Sequence, residues 1–174
     1  MGVPTLKAAG AGPKPEAGPM TEPLQQAGAL LRQAAEATGG RYTYARDLGA
    51  KIAATPDGRS FYVAWGPRGP DDLADLPVIV TLHDGDGWAF DEFFLWHPYA
   101  EKRGYGLVAI QWRFGEDRSE AYTAHQLYPI LAWALHNRGV RSHRGLLHGF
   151  GAGAMHAYGL AWLDARDGNR YFEL

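Results

Sequence analysis

From Leu76 onward the apolar positions fall into short blocks separated by helical stretches. Pro77-Val-Ile-Val-Thr-Leu-His83 is a continuous apolar run, the pattern of a strand covered on both faces. Gly106–Trp112 and Arg144–His148 repeat that pattern. Glu92–Lys102, Ser119–Asn137 and Ala154–Asp164 read as the helices between and after them, with a kink expected at Pro129. Tyr171-Phe-Glu-Leu174 begins one more strand.

The first part of the chain has a different rhythm. Thr21-Glu22-Pro23 opens a helix with Leu24, Ala27, Leu30, Leu31 and Ala34 on one face, and Gly39-Gly40 stops it. Tyr42-Thr43-Tyr44 is β-prone. Lys51–Ala54 and Ser60–Trp65 flank the turn Pro56-Asp57-Gly58 and predict an antiparallel hairpin. Residues 1–20 scatter Pro4, Pro13, Pro15 and Pro19 among alanines and glycines and read as a flexible lead.

Strands alternating with helices predict an α/β fold: a mostly parallel, doubly wound sheet with right-handed crossovers, preceded by the antiparallel hairpin. The expected organisation is a lead over 1–20, an N-terminal helix over 21–40 and one α/β unit over 41–174. A sheet whose last strand is only begun leaves an apolar edge, so the chain reads as a fragment of a longer protein.

Composition narrows the chemistry. With 174 residues, 46% of them apolar, the chain can bury one substantial core. A net charge of −2 and no Lys/Arg run argue against nucleic acid or an anionic membrane as partner. No stretch reaches the roughly 18 apolar residues of a membrane span, and no secretory leader is visible, so the compartment stays open. Leu6 replaces the Ser or Thr of a myristoylation start. Cysteine is absent, which excludes disulfides and thiolate chemistry.

The candidate chemistry lies where Arg144–His148 runs into a helix. Gly149-Phe150-Gly151-Ala152-Gly153 has the form of a G-x-S-x-G nucleophile elbow, with Gly151 in the place of the serine. Earlier, the strand Val78–Leu82 ends at His83-Asp84-Gly85. In this order, from about residue 42 to the end, the chain resembles the α/β-hydrolase fold family, nearest its esterase, depolymerase and dienelactone-hydrolase branches.

That resemblance implies a small-molecule acyl substrate, a carboxylic ester or related compound, and no cofactor or metal. It implies that Gly151 marks the nucleophile position. The N–H groups of Ala152 and of Gly85, or of Asp84 if the loop shifts, would form an oxyanion hole. Gly149, Phe150, Gly153 and Ala154 would shape the elbow, and His83, Trp88 and His148 would border a pocket. The acid and histidine of the family follow later strands. With no serine at 151, the chain as it stands is expected to be inactive.

Two other readings stay open: a pseudo-hydrolase that keeps the pocket to bind a ligand or partner, and a dinucleotide domain. For the latter, Gly149–Ala154 fits G-x-G-x-x-A and Glu173 would take the ribose. Asp84-Gly-Asp86-Gly87 hints at a calcium loop, but Leu95 stands where the bidentate acid belongs, which leaves a polar turn. His83 and His148, at strand ends, suit a structural role bonding a neighbouring loop. The rings of Trp88, Phe90, Phe93, Phe94, Trp96 and Tyr99 suit packing better than a pocket wall.

Overall fold

The computed structural model describes residues 22–172. The expected lead, the helix opening at Thr21, the side chain of Leu24, and Glu173 and Leu174 lie outside the described residues.

Helix α1 (Glu22–Ala37) buries Ala27, Leu30 and Ala34, the three- and four-residue spacing of one helical face. Tyr42–Tyr44, expected as strand, instead lies inside the short helix α2 (Arg41–Asp47). Packing overrides the β-propensity of these residues. Tyr42 meets Phe90 edge-on at 6.1 Å and Tyr44 stacks on Phe94 at 5.3 Å, while Ala45 is buried. Strands β1 (Lys51–Ala54) and β2 (Phe61–Trp65) then form the expected antiparallel hairpin. Its turn is closed by Gly58 N–H donating to Thr55 O (2.8 Å) and by Thr55 Oγ1 donating to Asp57 (2.6 Å).

Strand β3 (Val78–Leu82) is followed by α3 (Ala89–Arg103), which starts three residues before the expected Glu92. Asp91 accepts from the Trp88 N–H at 2.7 Å and so fixes the helix start. Next come β4 (Gly106–Ile110) and a small ribbon of β5 (Arg113–Phe114) and β6 (Glu120–Ala121). The ribbon corrects the sequence reading, which ran one helix from Ser119. Helix α4 (Ala124–His136) starts later because Thr123 caps it: its hydroxyl accepts from Gln126 N–H, and Gln126 reaches back to Thr123 N–H. Helix α4 continues through Pro129. The last two named elements are β7 (Gly145–Gly149) and α5 (Ala152–Asp167).

The five-stranded sheet has the order β1-β2-β4-β3-β7. The pairs β1–β2 and β2–β4 are antiparallel, while β3 pairs parallel with both β4 and β7. Every residue of β2, β3 and β4 is buried, as their unbroken apolar runs require. Strand β7 departs from that expectation: Leu146 is 52% exposed. Among the described residues β7 is an edge strand, met on its outer side only by a parallel bridge from Gly145 to Phe172. Phe90 and Phe93 are core residues, and Trp88, Phe94 and Trp96 pack against that core half-buried, whereas Tyr99 is exposed.

Candidate functional site

Parallel pairing of β3 with β7 puts Leu82 beside Gly149, so the segments that follow both strands leave the sheet at the same edge. At that edge an open α/β sheet offers its crevice. The Phe150 N–H donates to Leu82 O at 3.0 Å and extends the ladder into the turn. The turn fits only because it lacks side-chain bulk. A Cβ on Gly153 would strike the carbonyls of Leu82 and His83, and one on Gly149 would strike the main chain of Gly153. Gly151 stands at the tip with φ 54° and ψ −121°, immediately before the first residue of α5. An L side chain adopts that conformation only with strain.

Asp84 decides what this corner holds. Its Oδ1 accepts from Gly85 N–H (2.7 Å) and from Ala152 N–H (2.8 Å). Both amides singled out in the sequence thus converge on one oxygen, and that oxygen belongs to the chain itself. The carboxylate lies where a Cβ on Gly151 would be. The amides of Ala152 and Gly85 hold the Asp84 carboxyl below its ordinary 3.8, since they stabilise only the charged form. Two arginines fix the loop around it. Arg113 donates to Gly85 O at 2.9 Å, and Arg118 donates to Asp86 O at 3.1 Å while covering the Trp88 ring at 4.1 Å.

His83 is buried, with both ring nitrogens engaged. Nδ1–H donates to Asp84 O at 2.6 Å, and Nε2 accepts from the Trp112 N–H at 3.3 Å. Burial pushes its pKa down from 6.5 to about 3, so the ring is neutral near pH 7. It ties the loop to β4's end rather than offering a base. His156 also lies against Trp112, 4.3 Å between centroids, and its pKa is likewise lowered by burial.

No protein-family model and no curated protein matches the sequence. Solved structures do. An esterase from Pyrobaculum calidifontis superposes with a TM-score of 0.58 at 18% identity, over 86% of this chain and 53% of that one. A thermostable carboxylesterase cloned from a metagenomic library gives 0.58 at 17% identity, over 87% and 53%. An esterase from Mycobacterium marinum gives 0.55 at 21% identity, over 87% and 49%. The fold is that of the α/β-hydrolases. The chain spans about half the length of these structures.

Within this α/β-hydrolase fold, the three residues expected to border one pocket are not brought together. His83 is buried beneath the loop, and Trp88 lies under Arg118. His148 borders a groove of about 360 Å³ along β7, with Leu146, Leu147, Tyr158 and Phe172. The Nδ1 edge of its ring faces Thr81 Oγ1 (3.0 Å), Trp96 Nε1 (3.2 Å) and Glu92 Oε2 (3.3 Å). Among the described residues no group of three or more His, Cys, Asp or Glu could hold a metal ion, and no helix is long and apolar enough to cross a membrane. The sequence reading weighed Asp84 as a source of a main-chain N–H and as the start of a calcium loop, and missed its carboxylate as the acceptor for both amides. The available signal was an acidic residue beside a turn that has a glycine at its centre. Arg113 and Arg118 were missed as well, because their work is done on carbonyls that no sequence pattern marks.

Proposed function

We propose that the chain is part of a carboxylic-ester hydrolase of the α/β-hydrolase fold, with Gly151 at the nucleophile position and the N–H groups of Gly85 and Ala152 as the oxyanion pair. Acyl transfer needs an attacking group, a base to activate it, and donors aimed at the oxygen that becomes charged. The single observation that carries this reading is the convergence of two N–H donors on one oxygen, at 2.7 and 2.8 Å, beside the glycine tip of a strand-to-helix turn. The esterases among its structural neighbours support the same class. The ligand is a small acyl compound.

The donors are present without the attacking group. Gly151 has no side chain, so no acyl-enzyme forms there, and His83 has no free nitrogen to act as base. Donors and binding alone leave a residual acceleration of at most about 10³–10⁴ over water, and here both donors are already spent on the Asp84 carboxylate. We therefore expect no turnover from this chain as it stands. Initial rates with p-nitrophenyl acetate should coincide for the native chain and a heat-denatured control across substrate concentration. Saturable turnover that survives Gly151→Ala would mean that another residue attacks the ester, and the reading would be abandoned.

A further inference from the structure

We propose that Asp84 is an internal plug: its carboxylate occupies the place of both the missing nucleophile side chain and the substrate oxyanion, so that the chain closes its own acyl site. The proposal rests on the ester-site reading for its functional meaning, and on Asp84, Gly85, Gly151 and Ala152 for its geometry.

Three features converge on the plug. First, both donors are used. Gly85 N–H and Ala152 N–H each spend their hydrogen bond on Asp84 Oδ1, and a carbonyl oxygen entering the site has to displace a charged acceptor with a neutral one. Second, the space is used. The carboxylate fills the volume into which a side chain at 151 would project, so a Cβ at 151 requires the Asp84 carboxylate to leave. Third, the loop main chain is held by other means. His83 Nδ1–H on Asp84 O, Arg113 on Gly85 O and Arg118 on Asp86 O fix its path without the carboxylate. Opening is therefore a rotation of one half-buried side chain toward solvent, and the two amides stay aimed at the vacated point.

The consequence is a coupled pair. Restoring a hydroxyl by Gly151→Ser alone collides with the plug, and the same change in an Asp84→Ala background does not. The backbone strain of a non-glycine residue at φ 54° is common to both backgrounds, so their difference isolates the steric coupling.

The test uses the full chain in four versions: wild type, Asp84→Ala, Gly151→Ala and the double variant. Amide NMR is expected to show the Gly85 and Ala152 proton signals moving upfield in Asp84→Ala as the charged acceptor is lost. Thermal unfolding is expected to show Gly151→Ala lowering Tm by about 2–4 °C more in wild type than in Asp84→Ala, the scale of a coupling near 1 kcal/mol. Unmoved amide signals, or equal Tm losses in the two backgrounds, would overturn the plug. If Asp84→Ala does not fold, Asp84→Asn keeps an acceptor oxygen without the charge and is expected to shift the same two signals in the same direction. A final arm separates the plug from the ester reading. Mass spectrometry after incubation with p-nitrophenyl acetate is expected to find acetyl on residue 151 at least about tenfold faster in Gly151→Ser/Asp84→Ala than in Gly151→Ser. Equal, measurable labelling overturns the plug as a functional closure. No labelling in either, with the amide and Tm results intact, keeps the geometric plug and overturns it as the step that limits acylation in this chain.

Discussion

At the scale of single residues, the site is built from what glycine lacks, and two glycines of this corner should respond very differently to the same change. Gly153→Ala gains about 1 kcal/mol of helix propensity inside α5, yet its Cβ lands on the carbonyls of Leu82 and His83, which are main chain and cannot rotate away. Overpacking of that kind costs about 3 kcal/mol, so collision wins over propensity. Gly85→Ala meets only Arg113 Nη1 at 3.6 Å and Ala152 Cβ at 3.7 Å, ordinary contact distances, and should stay within about 0.5 kcal/mol. Urea unfolding of both variants checks this, and equal costs would mean that the close approach of β3 and α5 is not what demands glycine. The glycines of the turn were legible in the sequence because their spacing follows backbone geometry. The Asp84 carboxylate was not, because its direction depends on a neighbouring strand that sequence order does not place beside it.

At the scale of elements, legibility tracked burial on both faces. The apolar runs Val78–Leu82 and Gly106–Ile110 could be nothing but interior strands, and the hairpin was announced by Pro56-Asp57-Gly58. Tyr42–Tyr44 and the start of α4 failed where local preference met longer-range packing or a cap placed four residues further on. Thr123 is the decisive residue for the second error, since its hydroxyl and Gln126 satisfy N–H groups at the helix start. Thr123→Ala should cost about 1 kcal/mol in thermal unfolding, and an unchanged midpoint would show that packing of Leu127 and Leu131 fixes the boundary instead. The start of α5 also bears on the dinucleotide reading. A pyrophosphate needs the free N–H groups and positive end of a helix, but Ala152 N–H already holds the Asp84 carboxylate. Calorimetric titration with NAD should give no binding heat, and micromolar affinity would displace the hydrolase reading of Gly149–Ala154.

At the scale of the whole molecule, the buried histidines set how stability depends on pH. His83 keeps a folded pKa of about 3 against 6.5 when exposed, and His97 and His156 are shifted in the same direction by burial. Between pH 6.5 and about 3 the unfolded chain therefore binds protons that the native chain refuses, and native stability falls as the solution is acidified. Each site titrating only in the unfolded chain contributes a slope of up to about 1.4 kcal/mol per pH unit. Asp84 acts with the same sign at the acid end: its carboxyl lies below 3.8 in the fold, so the stability it lends is present above that value and is lost as pH drops through its lowered one. At the alkaline end Tyr128, raised to about 12 by burial, keeps its proton while the unfolded chain loses it from pH 10, and stability falls again. The expected profile of urea midpoint against pH is a plateau near neutrality, with losses beginning below about pH 6.5 and above about pH 10. The acid limb is the sharper test, because surface carboxylates alone would delay it to near pH 4. A midpoint that stays level from pH 7 to pH 4.5 would show that His83 protonates freely in the native chain, and with it that the Asp84 loop is not held by a neutral imidazole.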